Sequence, residues 1–214
     1  MFTYSLLNNH AGILLCGDYH TLVALQEVVY EVNDESPIIL DKEGTFLALA
    51  YDARKAYGGQ RQILEPPTHM PEVGVRYGVE ILWPVLLVQC RMLRASLAYF
   101  DSTKQQQAIT YALEDVIEGA IEEAFDFDAR PVLERWYHID PSHPWPEEKL
   151  ISRGAQFCMW TGSERRVKFS GLLASFDPAY PLVYQQMINN GEIGLVSPEQ
   201  LDALDDAEWP DPKW

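Results

Sequence analysis

The chain has 214 residues, enough for one sizeable core or for a core with a smaller unit attached. Hydrophobic residues make up 47% and charged residues 22%, which excludes disorder over most of the length. Its 32 acidic residues against 16 basic ones give a net charge of −16, which repels nucleic acid and anionic membranes and draws in a basic partner.

No apolar run reaches the roughly 18 uncharged residues of a membrane span, because Arg91 and Arg94 interrupt the longest stretch. The opening Met-Phe-Thr-Tyr-Ser lacks the basic and apolar regions of a secretory leader. The three cysteines, Cys16, Cys90 and Cys158, are too widely spaced for a zinc motif and suit buried, reduced thiols. A cytoplasmic location is the expectation.

In chain order, Phe2 to Leu7 and Gly12 to Cys16 flank Asn8-Asn9-His10-Ala11, residues that suit a tight turn, and predict a β-hairpin. Asp18 then caps a helix whose Leu22, Leu25, Val28, Val29 and Val32 share one face. A second helix is expected over residues 44–57, stopped by Gly58-Gly59. Pro66, Pro67 and Pro71 enforce a loop, and Val73 to Ile81 reads as a strand.

The stretch from Arg76 to Phe125 organises the rest. Trp83, Leu86, Cys90, Leu93, Leu97 and Phe100 alternate at three- and four-residue spacing, as do Ile109, Leu113, Val116, Ile117, Ala120, Ile121 and Ala124. With Asp101-Ser102-Thr103 between the two runs as a capping segment, they predict an antiparallel helical hairpin.

Beyond Phe125 the pattern weakens. Pro131 to Tyr137 reads as one or two helical turns, and the proline-rich stretch from His138 to Pro146 marks a boundary between a body, 1–137, and a smaller C-terminal unit, 138–214. In that unit Ala155 to Thr161 and Arg166 to Leu172 are expected as strands about a turn holding Arg165. A helix over 178–190 and another opened by Ser197-Pro198 follow. The predicted class is therefore α+β and mostly helical, with an N-terminal β-hairpin, a long central antiparallel helical hairpin and a mixed C-terminal unit.

Four constellations bear on function. Glu114, Asp115, Glu118, Glu122, Glu123 and Asp126 lie opposite the apolar stripe of their helix. Amphipathicity explains that placement, but like charges one turn apart each cost roughly 0.2–0.5 kcal/mol, which a cationic partner would relieve. With Trp209 and Trp214 of the acidic tail, these residues form the expected partner surface. His138, Asp140 and His143, with Glu134 one turn earlier, have the residue types of a divalent-metal site. Cys16 at a strand-to-helix junction, with His20 nearby, suits either an activated thiol or a small buried one. Arg54, Lys55, Arg61, Arg76, Arg91 and Arg94 carry much of the positive charge of the first half, without a glycine-rich phosphate loop.

No catalytic motif of the serine-hydrolase elbow, zincin, kinase or calcium-loop type occurs. The leading expectation is an acidic cytoplasmic interaction protein that binds and inhibits a basic protein, in the manner of immunity proteins, antitoxins or nucleic-acid mimics. It would bind neither nucleic acid nor membrane and would need no cofactor. One alternative is a metal-dependent hydrolase built on the 138–143 loop. The other is a subunit of a larger complex or a homo-oligomer, using the helical hairpin as its interface.

Overall fold

A computed structural model describes residues 1–66 and 68–212; Pro67 of the proline loop and Trp214 of the tail lie outside them. The fold is α+β and mostly helical. Strands β1 (Thr3–Leu6) and β2 (Gly12–Gly17) form the expected hairpin, joined by β4 (Arg76–Leu82) and β3 (Gln62–Leu64) in an antiparallel sheet of order β1-β2-β4-β3. In the β2–β4 register Ile13 faces Ile81 and Leu15 faces Val79, and all four are buried. The hairpin turn places Asn9 and His10 at φ 55° and 51°, a left-handed conformation that asparagine tolerates well. Gly12 meets a different demand, since a Cβ there would lie 2.0 Å from the Ile81 carbonyl oxygen.

Helix α1 (Tyr19–Glu35) starts where the Asp18 carboxylate accepts the Thr21 N–H at 2.9 Å, and it buries Leu22, Leu25, Val28, Val29 and Val32. Helix α2 (Thr45–Lys55) follows, and then the pair α3 (Trp83–Ser96) and α4 (Lys104–Phe125) makes the central helical hairpin. Thr103 and Gln106 close a capping box at the start of α4. No residue of α3 is exposed. Strand β4 and helices α1, α2 and α4 surround it, together with α5 (Ala129–His138) and α7 (Leu150–Met159).

The C-terminal third differs from expectation. Residues read as two strands are instead helices, α7 and α8 (Gly162–Ala174), and the described residues from 138 onward contain no strand. The supposed turn is a helix start. Thr161 accepts from the Glu164 N–H, and the Glu164 carboxylate reaches back to the Thr161 N–H at 3.0 Å. The Thr161 N–H, then the Lys168 ammonium and the Thr161 hydroxyl, hold the Glu164 carboxyl down at about 2. Short helices α6 (Trp145–Glu148), α9 (Tyr180–Asn189) and α10 (Pro198–Asp202) complete the described C-terminal third.

Arg165, expected at an exposed turn, is completely buried. Its guanidinium donates to the carbonyls of Phe157 (3.1 Å) and Cys158 (3.4 Å) in the last turn of α7, and to Asn9 (3.2 Å) in the β1–β2 turn. The cation therefore sits at the negative end of one helix and ties the C-terminal helices to the N-terminal hairpin. Replacing it with methionine keeps much of the volume but strands these carbonyl oxygens. R165M should lose about 2–4 kcal/mol of stability, measured by urea denaturation, and R165K should recover only part of that loss because a lysine cannot reach three acceptors with one fork.

Candidate functional site

The acidic face of α4 is not uniform. Glu114 is turned inward, with Arg94 Nε at 3.3 Å and Arg91 Nη1 at 4.0 Å, so α3 consumes its charge. Burial raises its carboxyl, and the two guanidiniums oppose that rise. Glu118 is half-buried and takes a hydrogen bond from the Tyr137 hydroxyl; burial and then that bond push the phenol up. Glu123 accepts the Tyr4 hydroxyl at 2.9 Å. Asp115, Glu122, Glu123 and Asp126 are exposed, and among the described residues no ion pair reaches these four or Glu118.

Helix α4 ends on an unusual backbone. Asp126 adopts φ 50° and ψ −116°, a costly conformation for a residue with a Cβ. The reversal leaves Phe127 90% exposed, between Asp126 and Asp128 and just beyond Glu122 and Glu123. Sequence reading did not single out Phe127. Its signal was an aromatic residue set between two aspartates where the helical periodicity stops.

The other expected partner residue within the described chain is engaged elsewhere. Trp209 lies against Gly154 of α7, where a Cβ would fall 1.9 Å from the indole, and its Nε1 donates to the Ile151 carbonyl at 2.9 Å. The tail is thereby latched to its own chain.

The residues expected to bind a metal are not brought together. His138 closes α5 with Nδ1 2.5 Å from the Glu134 carbonyl oxygen, and it lines a cleft of about 540 Å³ between α5 and α8. Asp140 shapes its own loop, accepting from the Ser142 N–H (2.9 Å) and hydroxyl (2.7 Å). His143 accepts the Trp145 N–H on Nδ1 at 3.0 Å and lines a different cleft, of about 330 Å³. Glu134 is paired with Arg130. Among the described residues no group of three or more histidine, cysteine or acidic side chains is placed to hold a metal.

Cys16 is buried, and burial pushes its thiol up, with Arg76 opposing weakly; His20 is exposed on α1. The buried-thiol reading fits this placement. Arg76 donates to the Met1 carbonyl at 2.6 Å, and Arg94 stacks over Tyr111. No described helix is long and apolar enough to cross a membrane.

The smaller cleft brings together two carboxylates that sequence reading missed. Asp41, in the α1–α2 loop, and Glu147, in α6, converge at Gly44, where a Cβ would meet Asp41 Oδ2 and Glu147 Oε1 each at 2.8 Å. Gly44 is the cap residue of α2 and has no side chain to offer, so Glu147 takes over that task by accepting the Phe46 N–H. Glu147 Oε1 is buried without a hydrogen-bond partner among the described residues.

Burial, then the Asp41 and Glu148 carboxylates, push the Glu147 carboxyl up. Because the folded-state value is raised, its contribution to stability is complete below the unfolded-state value and is lost as pH rises through the folded-state value. Glutamine keeps the acceptor for Phe46 but does not titrate. Stability of E147Q should fall less than that of the wild type between about pH 4 and pH 7, as followed by thermal unfolding across that range.

The sequence matches the family described as "Domain of unknown function (DUF6904)" over residues 3–214, and the chain belongs to that family. No curated protein and no solved structure matches it.

Proposed function

We propose that this member of the DUF6904 family is a cytoplasmic interaction protein that binds, and by binding inhibits, a basic protein partner through the outer face of α4 and the turn beyond it. The carrying observation is Phe127, 90% exposed beside the strained backbone of Asp126, an acid without an ion pair among the described residues. An aromatic anchor inside a charged rim is the arrangement that concentrates binding energy, with the rim setting encounter rate and partner choice. Asp128 shares part of its charge with Arg166 at 3.7 Å, which leaves Asp115, Glu122, Glu123 and Asp126 as the unneutralised rim.

The net charge of −16 supports the same reading at longer range, since it accelerates approach to a cation and discourages approach to phosphate. Inhibition follows if the partner's basic surface is the one that would otherwise hold nucleic acid. No observation favours the hydrolase reading, whose three ligands point into separate environments. Within the helical hairpin no residue of α3 is exposed, so an oligomer interface there would have to use the outer face of α4.

Asp115 and Glu122 are exposed and two turns apart on one side of α4, so reversing them tests the surface without disturbing Glu114 or Glu118. With the partner captured from native cytoplasm, D115K/E122K should slow association at least tenfold at low salt, and by much less at about 0.5 M salt, where charges are screened beyond a few ångströms. F127A should leave the association rate nearly unchanged and speed dissociation. Equal rates for wild type and D115K/E122K at low salt would exclude this face.

A further inference from the structure

The outer seam between α1 and α2 carries what the acidic face of α4 lacks. On α1, Tyr19, Gln26 and Tyr30 recur at spacings of seven and four, which places them on one side of the helix. Across the seam Tyr19 meets Tyr57, in the turn Ala56–Gln60 that follows α2, with ring centroids 5.2 Å apart, and Tyr30 meets Tyr51 of α2 at 6.3 Å. The Tyr57 hydroxyl donates to Gln26, and Arg54 stacks over Tyr51. Tyr19 is 49% exposed and Tyr51 40%, so the row is open to solvent. Tyrosine and arginine are among the residues enriched where binding energy concentrates at interfaces.

The cations of this corner are also free. Among the described arginines and lysines, Arg54, Lys55, Arg61 and Lys104 alone form neither an ion pair nor a hydrogen bond, and the first three cluster at the end of α2. Half-buried Asp52 feels the charges of Arg61 and Lys55 but forms an ion pair with neither. Glu27 and Glu31 of α1 turn to the opposite flank, where they line a cleft with the start of α4 and Glu31 accepts from Gln106.

We propose that this seam receives the acidic face of α4 from a second copy of the chain, with Phe127 of one copy lying on the tyrosine row of the other. The match has two parts. Phe127 is 90% exposed, and aromatic pairs gain more than the area they bury. Asp115, Glu122, Glu123 and Asp126 lack cations, while Arg54, Lys55 and Arg61 lack acids, so each group supplies the charge the other needs. Two chains of −16 repel at a distance, and at physiological salt that repulsion is screened beyond about 8 Å. Contact between copies is therefore favoured where the sign of the surface changes, as it does at the end of α2. The inference rests on the reading of the α4 face as a binding surface and adds its regulation, since self-contact occupies the face that a basic partner would take.

Sedimentation of the full chain from about 10 to 200 μM, a range that brackets weak contacts, should show a mass that rises with concentration. R54E/R61E and D115K/E122K, all at exposed positions, should each self-associate at least tenfold more weakly, and F127A likewise. An equimolar mixture of the two charge-reversed variants should regain association, because each face then meets one of opposite sign, which a general change in net charge cannot produce. Circular dichroism checks that the variants fold. A wild-type chain that stays monomeric throughout, either reversed variant associating as the wild type does, or a mixture no stronger than its components overturns the proposal. None of those results bears on capture of a basic partner, which is measured on the dilute monomer. Conversely, D115K/E122K that self-associates poorly yet binds the basic partner as fast as the wild type overturns the partner reading alone.

Discussion

A central helix without one exposed residue constrains the whole molecule. Helix α3 buries Gln89 and Ser96 along with its apolar residues and holds Arg91 and Arg94 at its partly exposed edge, and buried polar groups need partners. Arg91 and Arg94 use Glu114, Ser96 hydrogen bonds Ser36 at 2.8 Å, and Gln89 donates to Thr45. Those three contacts reach α4, the end of α1 and the start of α2 respectively. The same bonds that neutralise the interior of α3 therefore set the positions of its neighbours. The outer acids of α4 are displayed where they are because Glu114 is held from within.

This arrangement sorts the negative charge by function. Acids beside α3 are matched to cations, and acids at helix starts, such as Asp18 and Glu164, are matched to N–H groups. The outer acids of α4 lack cations and instead take phenol hydroxyls, from Tyr4 and Tyr137, or water. A phenol steadies a carboxylate without neutralising it, so the face keeps its field while its side chains lose some freedom. Glu147 combines one such pattern with a departure from it: half-buried, it takes the Phe46 N–H at the start of α2, while its Oε1 lies without a partner among the described residues.

The sequence made the helical hairpin, the N-terminal β-hairpin and the Asp18 cap legible, because each combines strong periodicity with local turn or capping chemistry. Strand β3 was missed: it has three residues, little burial and no alternation of its own. Helix α8 was read as a strand because Val167 and Phe169 alternate with polar neighbours, yet the buried positions include Arg165, Phe169, Leu172 and Leu173, spaced as a helix requires. Counting Arg165 as polar hid that stripe, while the capping box at Thr161 and Glu164 was there to be read. The acidic face was visible as a group, but the split between Glu114 and its neighbours depends on α3 and could not be seen locally. His138, Asp140 and His143 are close in sequence, but α5 ends among them and the two histidines line different clefts. Asp41 and Glu147 meet only in three dimensions.

The Arg165 bond to Asn9 spans 156 positions. During synthesis the β1–β2 hairpin precedes Arg165, and its turn can gain this donor only once those further 156 positions have been translated. Until then the carbonyl faces solvent, and the surface destined for the C-terminal helices remains open to any other chain nearby. A contact of such sequence separation closes a large loop late, which slows folding and lengthens exposure of unfinished surfaces. The native state is thus secured in part by a closure between two regions far apart in sequence.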